Sequence, residues 1–141
     1  MRLNDSFAIS ASGLSAERLR MDLISGNIAN LNTTRTAEGG PYKRRVAVFA
    51  ESLEKAIGNS AASAGKGVEV AAVYQDQAPP RLVYDPSHPD ADEQGYVQMP
   101  NINIITEMVD LITATRTYEA NVTALNAAKS MVLKALEIGR G

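Results

Sequence analysis

The sequence predicts an α+β protein, in which long N- and C-terminal helices pair as a coiled coil around a small β-rich middle segment. Three observations predict it. Apolar residues recur at heptad spacing at both ends, strand-like alternation is confined to the middle, and most of the Gly and Pro lies between the ends. Phe7, Leu14, Met21 and Ile28 fall seven apart, with Ile24 and Leu31 three residues after the last two. Ile104, Met108, Leu111, Thr115, Tyr118, Val122, Leu125, Lys129, Val132 and Leu136 are spaced alternately four and three apart. An apolar repeat of about 3.5 residues is the seam of a left-handed coiled coil.

The chain divides into residues 1–32, an N-terminal assembly helix; 33–100, an extended loop and β-rich middle; and 101–141, a C-terminal assembly helix. The first helix should run from residue 5 to about 31, with Asp5 or Ser6 as its N-cap. Gly13 and Gly26 each weaken it by about 1 kcal/mol relative to Ala, so it needs a partner. Asn30, Asn32, Thr33 and Thr34 continue a helix poorly and end it. Residues 33–41 form a loop, broken at Gly39-Gly40-Pro41.

Tyr42 to Ala50 reads as a strand with Tyr42, Val46, Val48 and Ala50 on one side. Glu51 to Ile57 is a short helix or an irregular extension, and Gly58 to Gly67 a small, polar hairpin-type loop. Val68 to Tyr74 is a second strand with Val68, Val70 and Ala72 on one face. Pro79-Pro80 limits residues 81–84 to an edge strand. Asp85 to Gly95 is an acidic, turn-rich loop, and Tyr96 to Met99 a short extended piece. Pro100 with Asn101 or Asn103 opens the second helix and Gly139 closes it. That helix is roughly 50 Å long at the helical rise, too long for the small middle to wrap. Its stripe must be covered by something else.

Composition narrows the function. Apolar residues make up 45% and aromatics only 5%, without Trp, which fits a helical assembly better than a pocket-forming enzyme. A net charge of −2 gives no general attraction to nucleic acid or anionic membranes. With no Cys there is no disulfide, thiolate nucleophile or Cys-ligated metal. No stretch approaches the roughly 18 apolar residues of a membrane span, so no direct membrane insertion is expected. Ser6, Ser10, Ser12, Gly13, Ser15 and Glu17 interrupt the N-terminus, which is not a Sec signal peptide.

Candidate chemistry fails on spacing. Gly65-Lys66-Gly67 suggests a phosphate loop, but Ser60 stands where Gly is needed and Gly67 where Ser or Thr is. Asp90-Ala91-Asp92-Glu93-Gln94-Gly95 begins like a calcium loop, yet the twelfth position is Asn101 rather than a bidentate Glu. His88, the only His, cannot build a His-based metal site, so neither metal nor cofactor is expected. Lys43-Arg44-Arg45 is shorter than a nucleic-acid patch. Arg116 and Glu119 flank Tyr118 without a recognisable nucleophile and read as inter-helix charges. Thr115 and Lys129 interrupt the second seam, and polar seam residues select register or partner.

One segment is more specific. Ser25-Gly26-Asn27-Ile28-Ala29-Asn30-Leu31-Asn32-Thr33 resembles the N-terminal signature of the bacterial flagellar rod and hook proteins, an Asn-rich helix end followed by a turn and a Tyr. The motif residues here are Asn27, Asn30, Asn32, Gly39, Gly40, Pro41 and Tyr42. The turn is extended from Thr34 to Pro41, which points to a proximal-rod member. Tyr84 to Asp92, Gly95 to Asn101, Glu107 to Ile112 and Arg116 to Asn121 agree, so the resemblance spans nearly the whole chain.

The resemblance implies a structural subunit of the basal-body rod, in the periplasmic space, exported unfolded through the flagellar type III apparatus without a cleaved signal. It would polymerise helically into a hollow, torque-transmitting shaft. The expected partners are copies of itself, other rod proteins and proteins at the MS-ring and export-gate junction. The expected assembly interface is Phe7, Leu14, Met21, Ile24, Ile28 and Leu31 with Met108, Leu111, Tyr118, Val122, Leu125, Val132 and Leu136. A soluble coiled-coil adaptor with one discrete partner is the competing reading, and a small hydrolase using the acidic loop a third.

Overall fold

A computed structural model describes residues 3–52 and 67–140. The order is α1 (Leu3–Ala29), β1 (Arg45–Glu51), β2 (Val68–Gln75), β3 (Arg81–Tyr84), β4 (Tyr96–Met99) and α2 (Ile104–Gly139). This is the expected arrangement, two long helices flanking a small antiparallel strand region. The two readings of Glu51 to Ile57 and the loop from Gly58 fall, between residues 53 and 66, outside the described residues.

The helices run antiparallel. Asn27 of α1 meets Glu107, Met21 meets Thr115, and Gly13 meets Asn121. A Cβ on Gly13 would stand 2.9 Å from the Asn121 Nδ2, so glycine makes room there for the Asn121 side chain. α1 begins at Leu3, which puts Asp5 and Ser6 inside the helix rather than at its N-cap. α2 has the cap expected at Asn103, whose Oδ1 accepts the amides of Ile105 (3.0 Å) and Thr106 (3.4 Å). Along α2 the hydroxyls of Thr113, Thr115, Thr117 and Thr123 each donate to the carbonyl four residues back. Their polarity is thereby satisfied within the helix.

The strands form two separate antiparallel ribbons, β1 with β2 and β3 with β4. The β1–β2 ribbon lies against α1, where the Ser12 hydroxyl accepts the Val68 amide (3.1 Å) and donates to the Ile9 carbonyl (2.7 Å). The single buried face expected from Tyr42 to Ala50 is not kept. The register shifts between Val48 and Phe49, so Val46, Ala47, Phe49 and Ala50 are half-buried while Val48 is exposed. A bulge inserts an extra residue and re-aims the side chains beyond it. β3 follows Pro79-Pro80 as expected, and its Tyr84 stacks edge-on against Tyr96 of β4, centroids 5.3 Å apart.

Among the described residues the buried apolar core is thin, consisting of Ala16, Ile24, Val97, Ile102, Ala114 and Ala128. The chain exposes 10212 Å² at 15.1 kDa. A compact monomer of that mass exposes about 7,100 Å². Large apolar side chains, Ile105, Ile112, Met131 and Ile138 among them, are left exposed.

Candidate assembly interface

α2 exposes large apolar side chains near both of its ends. Its shielded edge comprises Glu107, Ala114 and Ala128, all buried, with Asp110, Leu111, Tyr118, Asn121, Val122 and Leu125 half-buried between them and Val132 beyond. Leu111, Tyr118, Val122, Leu125 and Val132 were expected on the seam. Glu107, Ala114, Asn121 and Ala128 take the alternate places where Ile104, Met108, Thr115 and Lys129 were expected, and those four are exposed. The cause is that the apolar band of α2 is wider than one helix covers. α1 approaches on the side of the small residues. Outside it remain Ile104, Ile105, Met108, Val109 and Ile112 near the start of α2, and Met131, Leu133, Leu136 and Ile138 near its end. Ile105 is 70% exposed and Ile138 82%.

On α1, Ile24 is buried, and Phe7, Leu14, Met21, Ile28 and Leu31, in the turn just after it, are half-buried. Met108 and Leu136 are the expected interface residues that stand exposed.

The sequence reading missed a polar cluster between the helices. Glu107 and Asn27 are each only 1% exposed. Glu107 Oε1 accepts from Arg44 Nε (2.6 Å), and Oε2 accepts from Asn27 Nδ2 (3.1 Å). Asn27 Nδ2 also donates to the Arg45 carbonyl (2.9 Å), while its Oδ1 accepts the Arg45 amide (2.9 Å) and the Tyr42 hydroxyl (3.3 Å). All four hydrogen-bonding directions of the amide are used. The charges continue outward, with Arg44 to Asp110 (3.6 Å), Arg20 to Asp110 (3.9 Å) and Arg20 to Glu17 (3.9 Å). One signal could have found it: Glu107 is the single charge between Ile104 and Val109, and a lone carboxylate in an apolar run needs a partner when buried.

The other motif residues sit around this cluster. Asn30 Nδ2 donates to the Gly26 carbonyl (2.9 Å), and Asn30 Oδ1 accepts the Thr33 hydroxyl (3.1 Å), which finishes α1; Asn32 is exposed. The loop that follows is closed at its base by the Tyr42 amide on the Thr33 carbonyl (3.0 Å). Inside it, Gly39 and Gly40 adopt φ of 87° and 76°, left-handed angles for which glycine is suited. Pro41 is half-buried at the exit.

Asp90 holds this loop from outside. Its Oδ2 accepts the Thr34 hydroxyl (2.8 Å), and its Oδ1 lies 4.0 Å from Arg35. Asp92 Oδ1 accepts the amides of Gln94 (2.9 Å) and Tyr96 (2.8 Å). The two aspartates of the calcium-like stretch are thus engaged in local structure, and Glu93 is exposed. Among the described residues no group of three His, Asp or Glu is placed to hold a metal. His88 Nδ1 accepts the Asp90 amide (3.1 Å), a structural contact. Asp85 Oδ1 accepts the Ser87 hydroxyl (2.6 Å) and amide (3.1 Å), which hold its carboxyl below its ordinary value, helped by the nearby His88. Of the basic run, Lys43 is exposed, Arg44 serves the buried cluster, and Arg45 lies 5.8 Å over the Tyr42 ring. Arg116 and Glu119 lie exposed on α2.

A pair of long helices with a broad uncovered apolar face, and side chains engaged in structure rather than chemistry, defines a structural assembly subunit. Comparison with known proteins agrees. A family described as "Flagella basal body rod protein" matches residues 7–35, and one described as "Flagellar basal body rod FlgEFG protein C-terminal" matches residues 93–138. The flagellar basal-body rod protein FlgC of Borreliella burgdorferi is 44% identical over 152 aligned positions, covering all of both chains. Its counterpart in Bacillus subtilis is 48% identical over 96% of this chain and 97% of its own. That of Salmonella typhimurium is 40% identical over 99% of this chain and 100% of its own. The chain belongs to the FlgC family of flagellar basal-body rod proteins. It is a structural subunit of the basal-body rod and not an enzyme, as the resemblance read from the residues implied.

Proposed function

We propose that the chain polymerises helically through its terminal helices, in the periplasmic space, to build a hollow shaft that transmits torque. The observation that carries this reading is the uncovered face of α2, with large apolar side chains exposed at both its ends. A repeated contact that does not close gives a filament. The partners are copies of the chain, other rod proteins and proteins where the rod meets the MS ring and export gate. The expected interface residues of α1 and α2 contribute on the sides that face neighbours. The chain reaches the growing rod by type III export without a cleaved signal.

Electron microscopy of isolated basal bodies carrying Met108→Asp or Leu136→Asp tests this. Both side chains are exposed in the isolated chain, so its fold should survive, while the rod should be missing although the protein is exported. Normal rods in both variants refute the reading. A fixed small stoichiometry in sedimentation, with no extended assembly, would favour the adaptor instead.

A further inference from the structure

Asn27, Arg44 and Glu107 come from three stretches of chain, the last turns of α1, the segment leading into β1 and the first turn of α2. The ion pairs joining these stretches, among the described residues, use only Arg20, Arg44, Glu107 and Asp110. The other end of the helix pair is built differently. Contact there rests on Gly13 against Asn121 and on small buried residues such as Ala128, while Met131, Leu133 and Leu136 are exposed. One end is therefore cross-linked by polar groups, the buried Asn27 and Glu107 with the half-buried Arg44, and the other is held by thin apolar packing.

We infer that the Asn27–Arg44–Glu107 cluster is a latch that keeps the last turns of α1, residues 42–45 and the first turns of α2 together as one cooperative unit, while the far ends of the two helices open independently. Asn27 makes the latch specific. Its amide clamps the Arg45 backbone through both N–H and carbonyl, so the first strand is anchored to α1 at the same point where α1 is anchored to α2. Opening the latch takes from the Glu107 carboxylate and the Asn27 amide the partners placed for them in the folded chain. Opening the far end uncovers Ala128 and half-buried side chains such as Leu14, Val122 and Leu125, but breaks no buried ion pair. Every contact of the latch lies within the one chain.

Hydrogen exchange read by mass spectrometry tests this on the full-length chain, at a dilution where sedimentation gives a monomer. Peptides from residues 20–29 and 104–114 should exchange at least about tenfold more slowly than peptides from 6–15 and 125–138, the contrast expected of separate cooperative units. Glu107→Gln places an amide donor against the Asn27 donor and should close that gap. Arg44→Lys keeps the charge but lacks the Nε–H, and should narrow the gap in a chain that still folds. Equal protection of both ends in the parent overturns the latch. So does a gap in Arg44→Lys that stays within about twofold of the parent's, whatever the folding of Glu107→Gln.

Discussion

The two ends of the helix pair contrast in how they are held. Where α1 finishes and α2 starts, buried polar groups meet with every hydrogen-bonding direction of Asn27 used. Where α1 starts and α2 finishes, small residues touch and large ones face outward. Buried polar networks are directional and fix one geometry, whereas apolar contact is not directional. The first end is suited to defining the subunit and the second to accepting neighbours.

The largest test of this contrast is Glu107→Ala. It leaves Arg44 and Asn27 facing a void, and breaking one side of a buried charge pair costs roughly 3–5 kcal/mol. Urea unfolding of the monomer should register a loss of that size, and a loss below about 1 kcal/mol would make the two ends equivalent. Next come Val122→Asp and Leu125→Asp, at half-buried positions of the other end. A charge placed against packed apolar surface costs about 2 kcal/mol or more. Each should abolish swimming, with export intact, while leaving β1 and β2 protected from exchange; normal swimming in both would mean that this side of α2 faces solvent in the assembled state.

Deleting residues 34–40 removes the loop held by Asp90 but leaves the latch. The protein should stay soluble and exported yet fail to complete a rod, because we expect this loop to touch an adjacent subunit. Parental swimming by the deletion would make it only a tether. The smallest effect concerns Asp85. Its carboxyl is held below the ordinary value, so the folded loop gains stability above that ordinary value. The gain is lost as pH falls through the lowered one. Acidification below about pH 4, the ordinary Asp range, should raise exchange at Ser87 first, with Asp85→Asn insensitive to the change. Loosening of residues 20–29 at the same pH would tie the loop to the latch.

Much of this fold was legible because its elements announce themselves locally. Thirty-six residues of α2 follow a heptad pattern, bounded by Asn103 and Gly139. Pro79-Pro80 marks β3, and Gly39-Gly40 marks the turn. The seam of α2 was legible only in part. Leu111, Tyr118, Leu125 and Val132 could be placed, but Ile104 and Met108 are as apolar as any core residue, and only the approach of α1 over Ala114 and Ala128 decides which edge is covered. The bulge at Val48 depends on how β1 pairs with β2, which alternation within one strand cannot reveal. Asn27 could be picked out by its motif, but its partner Glu107 lies 80 residues away.

That separation has a kinetic consequence. Contacts distant in sequence form late, because a long loop must close before they are made. A chain delivered N-terminus first could make the turns of α1 early, but its carboxylate partner would still be behind it. Asn27 would then wait for Glu107, and the chain would stay pliable until most of its length had arrived. The same pairing that fixes the finished subunit would thus act as a timer on its own completion.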